Sequence, residues 1–284
     1  PTGFLALCTA NLPSVDVIPS ENFNTVLYTG TGSTQSIAVG LQPDLTWFKS
    51  RSASRSHVLV DAVRGVTKEL LSDGTNAELT SSSTEDLTAF TTDGFNLGTP
   101  YNNSPNESGA SIVAWNWKAG GTAVSNTNGT ITSSVSANPA AGFSIVSWTH
   151  GSGSQSIGHG LSQKPDMIIV KGRSNVSSWW TWHKGLSSET QSFIHVDTSS
   201  AAGANVNAWN NQAPTASVFY QKEYILSNND TGIAYCFHSV DGYSKVGSFI
   251  GNGSETAGPF VHLGFKPAFL LVRRATEVGS WFMF

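Results

Sequence analysis

The sequence predicts an all-β protein, built as tandem β-sandwich repeats of jelly-roll type, with two complete copies and part of a third. Three observations carry this prediction. The chain repeats itself at a spacing of 120–122 residues, and such self-similarity marks a structural unit used more than once. Its apolar runs are short and broken by Gly, Asn, Asp and Pro, and none sustains a 3.6-residue period, the pattern of strands and turns. Only 12% of its residues are charged, against about 25% in ordinary soluble domains, while Ser, Thr, Asn and Gly make up about two-fifths of the 284 residues.

Taken in order, residues 1–22 contain Pro13 and Pro19 and little pattern, and read as an extended arm. Repeat 1 spans 23–119. Its segment NTVLYTGTGSTQSIAVGLQPDLTWFKSR (24–51) matches SIVSWTHGSGSQSIGHGLSQKPDMIIVKGR (144–173) of repeat 2, which spans 143–243. Gln35-Ser36-Ile37 recurs as Gln155-Ser156-Ile157 and Gly40-Leu41 as Gly160-Leu161. Pro43-Asp44 recurs as Pro165-Asp166, Lys49-x-Arg51 as Lys171-x-Arg173, and the run 112–117 aligns with 232–237. Between the copies, residues 120–142 read as a linker or hairpin with a type I′ turn at Asn128-Gly129. Residues 244–284 begin a third copy, with Gly264-Phe265, Pro267, Arg273 and Trp281 at the matching places. The chain opens on Pro1 without a leader, and the third copy breaks off at Phe284. The expectation is therefore a fragment whose third copy continues or completes a neighbouring domain. A weak helical pattern covers Asp61–Leu71.

Composition excludes several classes. A net charge of −4 supplies no concentrated positive field for nucleic acid. No apolar run reaches the roughly 18–20 residues that cross a bilayer as a helix. The 9 Trp, 15 Phe and 6 Tyr can fill a core, which argues against disorder. Cys8 and Cys236 form no framework and read as buried thiols.

The repeat lets side-chain direction be read internally. HVLVDAV (57–63) matches WWTWHKG (179–185), so Trp180 and Trp182 take the core positions of Val58 and Val60. Trp179 and His183 then match His57 and Asp61 and face the other way. These four, Trp179, His183, His57 and Asp61, are the candidate carbohydrate-binding residues, because an aromatic face beside polar side chains suits a sugar ring. In the next strand Ile194 and Val196 point inward, His195 and Asp197 outward. The seven His show no zinc spacing, so no metal and no cofactor are expected. Asp44 and Asp166 read as turn-capping carboxylates. The Lys49/Arg51 and Lys171/Arg173 pairs read as solvated strand ends. No nucleophile elbow or paired-carboxylate pattern stands out, so the chain does not read as an enzyme.

Several ordered motifs together resemble a repeat family of bacteriophage virion proteins: TGFLALCTANLP (2–13), FNTVLYTGTGSTQSI (23–37), AWNWKAGG (114–121), SIGHGL (156–161), PDMIIVK (165–171) and GYSKVGSFIGNGS (242–254). The resemblance covers nearly the whole chain. It implies a virion location and a structural or adhesive role, and it carries no catalytic residues. The expected function is a tail-fibre or receptor-binding component that attaches to host surface glycan. The expected partners are identical subunits, as a homotrimer or larger, and other virion proteins, with neither nucleic acid nor membrane insertion. The alternatives are a non-adhesive virion scaffold and, more remotely, a capsule depolymerase.

Overall fold

The computed structural model describes residues 17–102 and 104–284. Cys8 and most of the N-terminal arm lie outside them. Repeat 1 forms a large antiparallel sheet of β1 (Phe23–Thr29), β9 (Ser111–Trp117), β3 (Leu45–Ser50), β4 (Val58–Asp61), β5 (Lys68–Leu71) and β6 (Leu79–Thr80), in that order. A small sheet of β2 (Gln35–Ala38), β8 (Gly94–Leu97) and β7 (Leu87–Thr91) covers one face. The linker is the hairpin β10 (Val124–Asn126) and β11 (Ser133–Asn138). It extends the second large sheet, which continues β12 (Phe143–Thr149), β19 (Thr231–Phe237), β14 (Met167–Gly172), β15 (Trp180–His183), β16 (Ser192–His195) and β17 (Gly203–Ala204). Its small sheet has two strands, β13 (Gln155–Gly158) and β18 (Val218–Gln221). A last hairpin pairs β20 (Leu271–Val272) with β21 (Phe282–Met283). No α-helix occurs among the described residues.

The strand order of the two large sheets is the same, and so is the register. Phe23 faces Trp117 as Phe143 faces Phe237, and Trp47 faces Leu59 as Ile169 faces Thr181. Register fixes which side chains share a face, since a one-residue slip inverts a whole strand. Alternation therefore sorts each large sheet into two apolar faces, and both are used.

The outer faces pack under the small sheets. In repeat 1 Phe48, Val58, Val60 and Ala114 meet Leu87, Phe95 and Leu97. In repeat 2 Ile168, Val170, Trp182 and Ala234 meet Ile157, Phe219 and the indole of Trp209. The inner faces pack on each other. Leu45, Trp47, Leu59, Leu70, Val113, Trp115 and Trp117 close against Phe143, Ile145, Ile169, Trp179, Ile233 and Tyr235. The result is four β-layers with three apolar cores. Phe269, beside β20, plugs the end of the middle core, with its ring centroid 5.3 Å from that of Trp117 and 5.6 Å from that of Trp115.

Polar devices recur with the strands. Asp44 accepts the N–H groups of Ala119 and Gly121, and its counterpart Asp166 accepts the N–H and hydroxyl of Ser239, so each ties a strand head to the chain leaving β9 or β19. Gly40, Gly160 and Gly264 stand at matching places with φ of 85°, 74° and 85°, a left-handed backbone that favours glycine.

Two local expectations are corrected. Residues 61–71 are not helical. Asp61 closes a turn by accepting the N–H groups of Val63 and Arg64, and β5 follows. The 126–133 turn is not type I′, since neither Asn128 nor Gly129 has positive φ. Gly129 instead lies against the strand at Ser156, where a Cβ would meet the Ser156 carbonyl oxygen.

Gly40→Ala and Gly160→Ala should both lose about 1–2 kcal/mol to the left-handed backbone. Gly160→Ala should lose more, because its Cβ would stand 2.7 Å from Val135 Cγ1, whereas the nearest atom at Gly40 is 3.8 Å away. Urea denaturation of the two variants measures the difference.

Candidate functional site

The four candidate residues do not form a surface platform. Trp179 and Asp61 do face away from the outer cores, but that side is the seam between the large sheets. Trp179 is 1% exposed, its indole donates to the Leu71 carbonyl at 2.7 Å, and its ring stacks on Tyr235. Asp61 is fully buried and accepts from Arg64 Nε and from the Tyr235 hydroxyl at 2.8 Å. His57 and His183 are half-buried at strand ends, where the N–H of His57 donates to Asp73 and His183 Nδ1 accepts the N–H of Gly185. Burial lowers the pKa of both imidazoles. The grouping as a sugar platform is therefore overturned, because the repeats bury the faces that carry Trp179 and Asp61 against each other.

Of the strand-end cations Arg51 is exposed, as expected, and Lys49 is half-buried, but the repeat 2 pair is not solvated. Arg173 makes a bidentate pair with Glu78 at 2.8 and 2.9 Å, joining repeat 2 to repeat 1. Glu78 also approaches Arg64, so two guanidinium groups share one carboxylate. Lys171 is fully buried and donates to the carbonyls of Thr75 and Ser177. Burial pulls its pKa down to about 8, against the opposing pull of Asp197. These groups lock the seam.

The site emerges where the repeats differ. In repeat 1, β7 lies beside β8 and covers the β4–β5 side of the large sheet. Beneath it Glu69 sits against Asp86, and burial together with that second carboxyl pushes Glu69 up to about 8. Glu69 Oε1 and Asp86 Oδ2 are buried and have no hydrogen-bond donor among the described residues. In repeat 2 the third strand is missing, and the turn carrying Ala208 and Trp209 fills only part of its place. The positions of Val58, Leu71 and Glu69 are taken by Trp180, His195 and Phe193. All three are half-buried, and Tyr224, 44% exposed, joins them from the loop after β18.

The rings meet edge-on. Trp180 lies 4.5 Å from Phe193, 4.4 Å from His195 and 5.3 Å from Tyr224, centroid to centroid. Such tilted contacts suit the ring quadrupoles and hold Trp180 in one pose. His195 is anchored from behind. Its Nδ1 stands 3.3 Å from the Trp179 carbonyl, which can only accept, so Nδ1 carries the proton and neutral His195 offers Nε2 as an acceptor. Burial lowers its pKa and favours that neutral form. Its own carbonyl takes the Trp281 indole N–H at 2.8 Å and a guanidinium N–H of Arg273.

This arrangement can hold an apolar ring face and one hydroxyl. A shallow cleft of ≈ 550 Å³ near Gly40 and Lys118 is lined by Asp44, whose Oδ2 accepts two main-chain N–H groups and whose Oδ1 has no partner among the described residues. Among the described residues no three His, Cys, Asp or Glu side chains converge as a metal site requires.

A family described as a domain of unknown function, DUF7483, matches residues 18–284. The chain belongs to that family. No curated protein and no solved structure matches it. The family description states no reaction and no ligand, so the chemistry rests on the residues themselves.

Sequence reasoning placed Trp180 in the core with Trp182. The structure buries Trp182 completely and leaves Trp180 at the rim. The signal was present in the aligned pairs: Trp180 for Val58 and Phe193 for Glu69 enlarge two positions at once, beside a loop that lacks a strand.

Arg64→Ala should destabilise by about 3–5 kcal/mol, because it strands the buried Asp61 carboxylate. Glu69 holds its proton more tightly folded than unfolded, since its pKa rises from 4.5 to about 8. The folded state thus binds more protons between those values, and stability should fall as pH rises through that window. Glu69→Gln should flatten the slope in thermal melts taken from pH 5 to 8.

Proposed function

We propose that the chain is an adhesive β-sandwich module of a bacteriophage virion, and that it binds host surface glycan through the half-exposed cluster of Trp180, Phe193, His195 and Tyr224. The observation that carries this reading is the two-stranded outer sheet of repeat 2, one strand fewer than in repeat 1, with half-buried Trp180, Phe193 and His195 and exposed Tyr224 beside the gap. A pyranose has an apolar face of C–H groups and a rim of hydroxyls. Trp180 and Tyr224 supply rings for the face, and His195 Nε2 accepts one hydroxyl proton. Phe193 and the Trp179 carbonyl fix these groups before a sugar arrives, which lowers the entropy cost of binding. A single open site of this size is weak, and identical subunits displayed on one particle raise its avidity. The virion setting is supported by the ordered motifs at 23–37, 114–121, 156–171 and 242–254.

The test is a glycan array with purified protein, followed by titration of the best ligand against Trp180→Ala and Tyr224→Ala. Both variants should keep the wild-type circular dichroism spectrum and lose binding by about tenfold or more, equivalent to about 1.4 kcal/mol. A protein that binds no glycan, or variants that bind unchanged, would leave a non-adhesive scaffold as the better reading.

A further inference from the structure

The two repeats carry the same carboxylate and partner it differently. Asp44 stands before β3 and Asp166 before β14, and their backbones are held alike. The N–H of Asp44 donates to the Trp117 carbonyl, and that of Asp166 to the Phe237 carbonyl. The Asp44 carbonyl accepts the N–H of Ala62, and the Asp166 carbonyl accepts that of Lys184. Ala62 and Lys184 therefore hold the same position, one residue beyond Asp61 and His183, and both are exposed.

In repeat 2 each carboxylate oxygen of Asp166 has a donor. Oδ2 accepts the N–H and hydroxyl of Ser239, and Oδ1 meets the Lys184 ammonium at 3.0 Å. Burial alone would raise the Asp166 pKa, but Ser239 and Lys184 bring it below its ordinary value. In repeat 1 only Oδ2 is served, by the N–H groups of Ala119 and Gly121. Oδ1 is buried and has no hydrogen-bond partner among the described residues, and Ala62 has no ammonium to offer it. Burial raises the Asp44 pKa here, against the two N–H groups and the more distant charge of Lys118. The same Asp44 lines the cleft of ≈ 550 Å³, with Glu21 and Lys118 exposed in its lining. That volume is within the range of small-molecule sites. A buried acceptor without a donor is costly, and a ligand that brings the donor recovers the loss.

We propose that this cleft binds a small primary amine in its ammonium form, which bonds to Asp44 Oδ1 as Lys184 bonds to Asp166 Oδ1. Two observations carry this independently: the unserved oxygen of a buried carboxylate beside the cleft, and the ammonium that serves the same oxygen in repeat 2. Glu21 adds a second negative charge to the lining. An ammonium fits better than a metal ion, because Oδ2 is already held by two N–H groups and no three His, Cys, Asp or Glu side chains converge among the described residues. This inference is independent of the glycan reading.

The test is calorimetric titration of the whole chain with butylammonium, which reproduces the lysine side chain. It should bind saturably at 1:1, weakly because the probe is small. Tetramethylammonium carries the charge without an N–H and should bind at least about tenfold more weakly. Asp44→Asn keeps an oxygen for Ala119 and Gly121 but removes the charge, and should also cost about tenfold or more. Ala62→Lys supplies the ammonium from the chain itself at an exposed position. It should abolish butylammonium binding and raise the melting temperature, and it keeps the test decisive should Asp44→Asn fail to fold. Absent binding to the wild type overturns the proposal, including the case where Lys118→Ala then binds and shows that Lys118 fills the place. So does binding that Ala62→Lys leaves unchanged, or calcium that binds more tightly and displaces the amine.

Discussion

The burial of one large sheet against the other is the constraint on which the structure depends. A sheet with one apolar face needs one covering layer. These two sheets are apolar on both faces, so each needs two, and each serves as the other's second layer. Trp47, Trp115 and Trp117 on one side and Trp179 and Tyr235 on the other form a core that neither repeat has alone. Within it, Asp61 and Arg64 form an ion pair whose acceptor also takes the Tyr235 hydroxyl. Burial alone would lower the Arg64 pKa, yet Asp61, Tyr235 and Glu78 together raise it, so the guanidinium stays charged inside the seam. Charges so enclosed are tolerated only when fully partnered. That requirement fixes how the two repeats sit on each other.

The low charge of the chain follows from the same layering. Faces that a free-standing sandwich would turn to water are here turned to another sheet. Many remaining surface positions lie in turns, where Ser, Thr, Asn and Gly satisfy the backbone and φ > 0 positions recur. The repeats diverge where the seam imposes nothing, on the outer face. Repeat 1 closes that face with β7 and an acid pair at Glu69 and Asp86. Repeat 2 leaves it partly open with Trp180, Phe193, His195 and Tyr224. Duplication thus supplied a second scaffold, and the free outer face is where a new surface could form.

Much of the fold was legible in the sequence because repetition is a strong signal. The matching of 24–51 with 144–173 placed the strands, and their alternation separated Val58 from Asp61 and Trp182 from His183 correctly. The candidate site was less legible. Alternation shows that Trp179 leaves the outer core, but it cannot show whether water or another sheet lies beyond, since that depends on how two units dock. Trp180 failed for the opposite reason. It inherited the core label of Val58, while the strand that buries Val58 has no counterpart in repeat 2. Asp44 and Asp166 read in the sequence as caps of their own turns, whereas each carboxylate accepts from the chain leaving β9 or β19, a long-range partner that turn chemistry alone does not show. The partners of Arg173 and Lys171 were not legible either, because Glu78 and Thr75 belong to the other repeat.

Differential scanning calorimetry tests the shared core most directly. If the two repeats depend on one seam, they unfold together, in a single transition whose calorimetric and van't Hoff enthalpies agree. Two separable transitions, one for each repeat, would contradict the account.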